Sequence, residues 1–400
     1  MATAPDNESQ TEVMDESEEI AEEQEDPSTS QVAESAITTT DWTTEVLVNQ
    51  MKKGIIELNP NFQRRFAWTD SRKSEFIESL ALRYPVPHIV LARDHNDASR
   101  YIVLDGKQRL MTLAQFYGLK KIGTANSGLT PLTLSKLKVK KDWSGETYES
   151  LKKKQGQKPA LSSFENATMR AVVIMNWSSE EFLYSIFVRL NQGSLPLSPQ
   201  ELRQALKPGP FVTFADTYAS KSAGLKLILN ITKPDFRMRD VELLIRFLSF
   251  RFRVASYKGN LKGFLDDTCQ EFNANWKTKK SEVDAECKRF ETATTLASEI
   301  FGKEAVFRKF TKTGYEPRIN RAIFDVVSFA LAEEKVQKGL NSKIKREKLR
   351  GEFEKLCLQR GFLKAIESTT KSLDATKTRF TEFLKIVEDA SGYKVPFNLA

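Results

Sequence analysis

Five consecutive residues hold the clearest chemical potential in this chain: Asp105, Gly106, Lys107, Gln108 and Arg109. An apolar run, Tyr101 to Leu104, leads into them, and a helical repeat of Leu110, Leu113, Ala114 and Tyr117 leads out to Gly118. A strand that turns through glycine into a helix presents backbone N–H groups at the positive end of the helix dipole, a geometry that holds anions. Lys107 and Arg109 add two cations there. Asp105 can hold a metal ion or orient a water, and Gln108 can orient a water, so the stretch suits a phosphate-bearing ligand. Its spacing matches neither the Walker A loop nor the dinucleotide fingerprint, which leaves a plain structural turn as the competing reading. A third reading joins Asp94, eleven residues before Asp105, to Asp105 and Lys107: two carboxylates hold a divalent cation and the lysine steadies the attacking water, as in a metal-dependent nuclease.

The elements that must position these residues are legible as alternations of period. Trp42 to Lys53 has a helical pattern that Gly54 ends, and Ile55 to Leu58 reads as a short strand. In the following segment Phe62, Phe66 and Trp68 alternate with Gln63 and Arg65, so one side can enter a core while polar groups face a cleft. Thr69 or Asp70 caps a helix from Ser71 to Leu82. Strands are expected over His88 to Ala92 and Met169 to Met175, with a turn across Arg93 to Arg100. The lysine-rich residues 123–160 read as a mobile flap or a solvated insertion. Ser178 with Glu181, and Ser198 with Pro199 and Glu201, carry helix-start signals. The first of these helices delivers Arg189 and Asn191 to a loop.

Charge separates the chain into two materials. The first forty residues hold twelve Asp and Glu and no Lys or Arg, too polar to offset the entropy of ordering, and are expected to be disordered. Removing their charge from the chain's +8 leaves +20 for residues 41–400. So basic a body attracts polyanions, with nucleic acid the commonest; solvated lysine-rich faces are the alternative. No apolar run reaches the ~18 residues of a membrane span. Cys269, Cys287 and Cys357 have neither CxxC spacing nor a nearby histidine, which argues for buried thiols in a reducing cytoplasm rather than zinc or disulfides. His88 and His95 read as one packed and one solvated ring rather than a metal pair.

A boundary falls near Pro208-Gly209-Pro210. The reading is a disordered acidic tail over residues 1–40, an α+β domain over residues 41–207, and an α-helical domain over residues 208–400. In the helical domain, helices are expected around 240–252, 261–275, 279–300, 317–335, 343–364 and 371–389. Arg246, Arg251, Arg253 and Lys258 stand among Phe247, Phe250, Phe252 and Tyr257, a mixture that can grip a sugar-phosphate backbone and stack bases, or else simply form core.

From Leu58 to Tyr117 the chain resembles the DGQQR family, the N-terminal domain type of GmrSD-like modification-dependent restriction systems, grouped with ParB and sulfiredoxin folds. The matching residues are Asn61 to Trp68 (NFQRRFAW), the helix around Phe76 to Leu80, Pro85-Val86-Pro87 and Asp105 to Arg109; a second signature is Phe187 to Gly193 with Leu197-Ser198. Lys107 stands where the family usually has Gln, which adds a charge. The resemblance implies a ParB/sulfiredoxin-like domain that binds a nucleoside triphosphate with Mg²⁺, with hydrolysis or binding alone as its two modes. It assigns nucleotide contact to Gln63, Arg64, Gly106, Lys107, Arg109, Arg189 and Asn191, catalysis to Asp105 and Gln108, and the metal to Asp105. The activity expected is a DNA transaction in restriction or phage defence; a silent DNA- or partner-binding module with a nucleotide switch is the other outcome. A sulfiredoxin-like activity lacks a cysteine near the anion loop. An HNH nuclease lacks its histidines, since none follows His95, so cutting would fall to a separate nuclease or effector subunit.

The tail and the body generate the first prediction. A tethered acidic segment beside a basic body competes with DNA at high effective concentration. Deleting residues 1–40 should strengthen non-specific DNA binding and steepen its decline with salt, because more counterions are then released per bound protein. Identical affinity and salt slope in both proteins would leave the tail without that role.

Overall fold

Period-two burial builds the first sheet. The computed structural model describes residues 36–58, 68–95, 97–123, 125–126, 129–177, 179, 182–183, 186, 198–368 and 370–399, and the chain divides into two units between Leu206 and Lys207. In the first unit, strands β1 (Ala36–Thr43), β2 (Ile56–Glu57), β3 (Ile89–Arg93), β4 (Tyr101–Asp105) and, after the short pair β5 (Lys121–Ile122) and β6 (Ala125–Asn126), β7 (Thr168–Met175) are arranged so that the five-stranded sheet runs β1-β7-β3-β4-β2. β1 pairs antiparallel with β7, β7 parallel with β3, β3 antiparallel with β4, and β4 parallel with β2.

Successive side chains on a strand point to opposite faces. Ile89 and Leu91 of β3, Val103 of β4, and Met169, Ala171 and Val173 of β7 therefore enter one core. Val90, Ala92, Ile102, Leu104 and Ile174 enter another, with Trp177, Phe182, Leu183 and Leu202. Burial on both faces explains why the β3 and β4 sequences are unbroken apolar runs rather than alternating ones. The first core is closed by helices α1 (Thr44–Lys53), α2 (Asp70–Ala81), α3 (Lys107–Phe116), α4 (Tyr148–Lys153) and α5 (Lys158–Glu165). The second receives α6 (Pro199–Leu206) through Leu202. Thr69 caps α2, its side chain accepting from the Arg72 N–H.

Two expectations for this unit change. Residues 36–40 belong to β1, whose β-branched Ile37 and Thr38 to Thr40 satisfy an edge strand that needs little burial. The deletion that tests the acidic segment should therefore stop at residue 35. The lysine-rich segment is neither a flap nor a solvated insertion: Leu132, Leu134, Leu137, Trp143, Tyr148 and Leu151 are buried in the first core. The buried Glu78 carboxylate holds it, accepting from the consecutive N–H groups of Lys138, Val139 and Lys140 at 3.3, 2.8 and 2.7 Å. The α+β class stands, while the ParB/sulfiredoxin assignment rests on the resemblance.

The second unit is helical, from α7 (Pro210–Ala219) and α8 (Ala223–Leu229) through α9 (Arg239–Arg253), α10 (Leu261–Ala274) and α11 (Trp276–Phe301) to α12 (Arg321–Leu331), α13 (Glu334–Gly339), α14 (Lys343–Cys357), α15 (Arg360–Glu367) and α16 (Leu373–Ser391). The expected helix over 317–335 starts only at Arg321, because Glu316 to Ile319 belong to a hairpin of β8 (Arg308–Thr311) and β9 (Gly314–Ile319). The helix over 343–364 breaks at Gln359, where an extended backbone (ψ 131°) precedes the buried Phe362. Among the described residues no helix is long and apolar enough to cross a membrane.

Cys269, Cys287 and Cys357 are all buried in this unit. Burial pushes the Cys287 thiol up, and that of Cys357 from an ordinary 9.0 to about 12. The folded chain should leave these thiols unmodified by a thiol reagent at about pH 8, and denaturant should expose all of them. An unfolded chain releases these protons near pH 9.0 while the folded one keeps them, so stability should fall as pH rises from 9.0 toward 12. Rapid native-state labelling would contradict this packing.

Candidate anion-binding site

The turn between β4 and α3 admits only glycine. Gly106 has φ +92°, and a Cβ there would lie 2.4 Å from Cγ2 of Ile89 on the neighbouring strand. The corner forces the chain from strand to helix within one residue. Gly106 is the N-cap of α3 and supplies no side chain to that end, so the first-turn N–H groups gain no capping side-chain partner from it.

Both cations of the motif are turned inward and paired. Arg109 Nη2 donates to Asp105 Oδ2 at 2.7 Å and to the His88 carbonyl at 3.1 Å. Lys107 Nζ donates to Glu201 Oε1 at 2.7 Å, with the two side chains 8% and 6% exposed. The other oxygen, Glu201 Oε2, accepts from the Ser198 N–H at 2.8 Å, and the Glu201 N–H donates to Ser198 Oγ at 3.1 Å. The sequence showed Ser198 and Glu201 as a helix-start signal; it did not show that the same carboxylate reaches Lys107. Lys107 and Arg109 thus brace the turn as well as charging it. Asp105, 26% exposed at its side chain, is the most open of the motif's paired groups.

Two described segments border this edge. β2 runs parallel to β4, Ile56 beside Tyr101 and Glu57 beside Ile102. Ser198 shares Glu201 with Lys107. Gln63, Arg64, Arg189 and Asn191 themselves lie outside the described residues, as do Ser178 and Glu181.

Polar atoms without partners collect on the same elements. Gln108 Oε1, Arg109 Nε, Gln200 Nε2 and both polar atoms of Gln204 are buried without a hydrogen-bond partner. Each such atom costs about 1–3 kcal/mol relative to a satisfied one, and native folds rarely leave several together. A polar ligand fits these groups: a nucleoside triphosphate offers phosphate oxygens to N–H donors and mixed donors and acceptors to carboxamides. Gln200 and Gln204 were missed in the sequence; their signal is a pair of amides four apart on a short helix whose Leu202 is core.

Three expectations take a different form in the structure. Asp94 and Asp105 stand at opposite ends of the β3–β4 hairpin, since Arg93 pairs with Tyr101 and Val90 with Asp105. Four strand residues separate them by about 13 Å, too far for carboxylates that must each approach one cation to about 2 Å. The two-carboxylate nuclease is therefore lost on geometry. Among the described residues no cluster of three or more His, Cys, Asp or Glu could hold a metal, so any Mg²⁺ at Asp105 would take other ligands from nucleotide oxygens and water. In the second unit, Arg246 forms a buried two-point pair with Asp325 at 3.0 and 2.7 Å. Arg251 meets Glu286 and Glu333, and Arg253 meets Glu271 and Thr268. These guanidinium groups have internal acceptors, and only Lys258 of the four is exposed. His88 and His95 are both exposed, and His95 stacks on Trp177 with ring centroids 3.5 Å apart.

The buried pair yields a stability prediction. Lys107→Ala strands the Glu201 carboxylate and should lower unfolding free energy by about 3–5 kcal/mol, whereas Lys107→Met combined with Glu201→Leu should recover most of the loss. Urea denaturation of the three proteins checks this; equal loss in single and double variants would mean that the pair is not a unit.

Residues 44–206 match the family model of the GmrSD restriction endonuclease, N-terminal domain. No curated protein and no solved structure matches the chain. The matched stretch opens on the first residue of α1 and closes on the last of α6, which places every element of the site within it. Over residues 44–206 the chain is thus similar to the N-terminal domain of the GmrSD restriction endonuclease.

Proposed function

We propose that the N-terminal unit binds a nucleoside triphosphate with Mg²⁺ at the start of α3, and that this binding gates a DNA transaction in a restriction or phage-defence system. The observation that carries the reading is the Gly106 corner: it opens the first turn of α3 beside buried polar atoms that lack protein partners. The family's name supports the DNA and restriction context, and the +20 charge of residues 41–400 supports contact with a polyanion.

In this reading the first-turn N–H groups receive phosphate oxygens, and Lys107 and Arg109, paired with Glu201 and Asp105, hold the turn that presents them. Gln63, Arg64, Arg189 and Asn191 are the further nucleotide contacts that the family resemblance implies. Asp105 would hold Mg²⁺, which when bound would neutralise phosphate charge, and Gln108 would orient water. A second reading, a nucleotide switch without turnover, is favoured by one contact: Arg109 already occupies Asp105 Oδ2. DNA cleavage belongs to a partner nuclease or effector in either case.

Calorimetry with each of the four nucleoside triphosphates and Mg²⁺, alongside phosphate release with and without DNA, tests the proposal on the full chain. At least one triphosphate should bind, Asp105→Asn should abolish any turnover, and the chain alone should leave DNA intact. Failure of all four to bind would overturn it.

A further inference from the structure

Helix α6 carries more unsatisfied polarity than its size explains. Gln200 is 0% and Gln204 3% exposed. Gln200 Oε1 accepts from Arg203 Nη1 at 2.7 Å, but Gln200 Nε2 and both polar atoms of Gln204 have no partner. Leucine or methionine would fill these positions without the penalty. At about 100° per residue, Gln200, Gln204 and Glu201 lie in that order along one sector of the helix. Glu201 marks where the sector looks, because its carboxylate meets Lys107 at the start of α3. Leu202, on the opposite side, packs with Ile102 and Leu104.

We infer that Gln204, together with Gln200, is the base-reading wall of the site, an assignment that rests on the nucleotide reading above. A carboxamide places one donor beside one acceptor and pairs in two-point fashion with a nucleobase edge of the complementary pattern. A buried amide is also a strict reader: a base that fails to match leaves it unpaired with no water to replace the bond. The phosphates sit at the first turn of α3, and the base lies toward Gln204. Selectivity among bases therefore originates on α6, while affinity for phosphate originates on α3.

The test uses full-length wild type, Gln204→Met and Gln200→Met, with the four nucleoside triphosphates and inorganic tripolyphosphate as probes. Gln204→Met removes two unsatisfied atoms, so the free protein should melt no lower than wild type. Its affinity for the preferred nucleotide should fall about tenfold, the differences among the four should narrow, and tripolyphosphate affinity should not change. Gln200→Met should lower the same nucleotide's affinity without changing that for tripolyphosphate. Unchanged nucleotide affinities and selectivity in both variants overturn the assignment, as does an equal loss for tripolyphosphate. A wild type that binds none of the four nucleotides overturns the site itself, a result separable from either of those.

Discussion

A lysine ammonium and a glutamate carboxylate, both out of water, tie together the edge of the N-terminal unit where α3 begins. Lys107 and Glu201 are 94 residues apart in sequence and 2.7 Å apart in space. Removing each charge from water costs several kcal/mol, which only close geometry and further hydrogen bonds offset. Glu201 meets that condition by also accepting from the Ser198 N–H. The pair thereby fixes two helix starts against each other, that of α3 and that of α6, and the alignment of the whole site follows from it.

The sheet makes such a bond possible. With cores on both faces, β3 and β4 cannot shift register without moving apolar side chains across the sheet. Gly106 then converts the fixed end of β4 into a fixed helix start, held against Ile89 with no room for a Cβ. A rigid strand end, a one-residue corner and a paired helix give preorganised N–H donors, the condition under which a helix start binds anions well.

What the sequence made legible was local. The strand Tyr101–Asp105, the corner at Gly106, the α3 stop before Gly118, the Thr69 cap and the Ser198–Glu201 start can be read because each depends on residues within one turn or one strand. The fates of the charges could not, because their partners are remote. Arg246 looks like a backbone-gripping residue until Asp325, 79 positions away, is beside it. Lys107 looks like a phosphate clamp until α6 arrives. The buried leucines of residues 132–151 were hidden by the lysines around them, and β1 by the acidic composition before it. Composition averages over a window, whereas an edge strand or a single buried carboxylate is decided by its individual partners.

Glu78 has a further consequence for the basic surface. By binding three successive N–H groups it fixes the backbone at Lys138 to Lys140, while the Lys136, Lys138 and Lys141 side chains remain exposed. A polyanion meeting a floppy lysine-rich loop must order the chain before it gains any contact, and that entropy is subtracted from affinity. Here the ordering was completed during folding of the first core. The ammonium groups stand on a stiff rail, and a bound phosphate chain would restrict only side-chain rotamers.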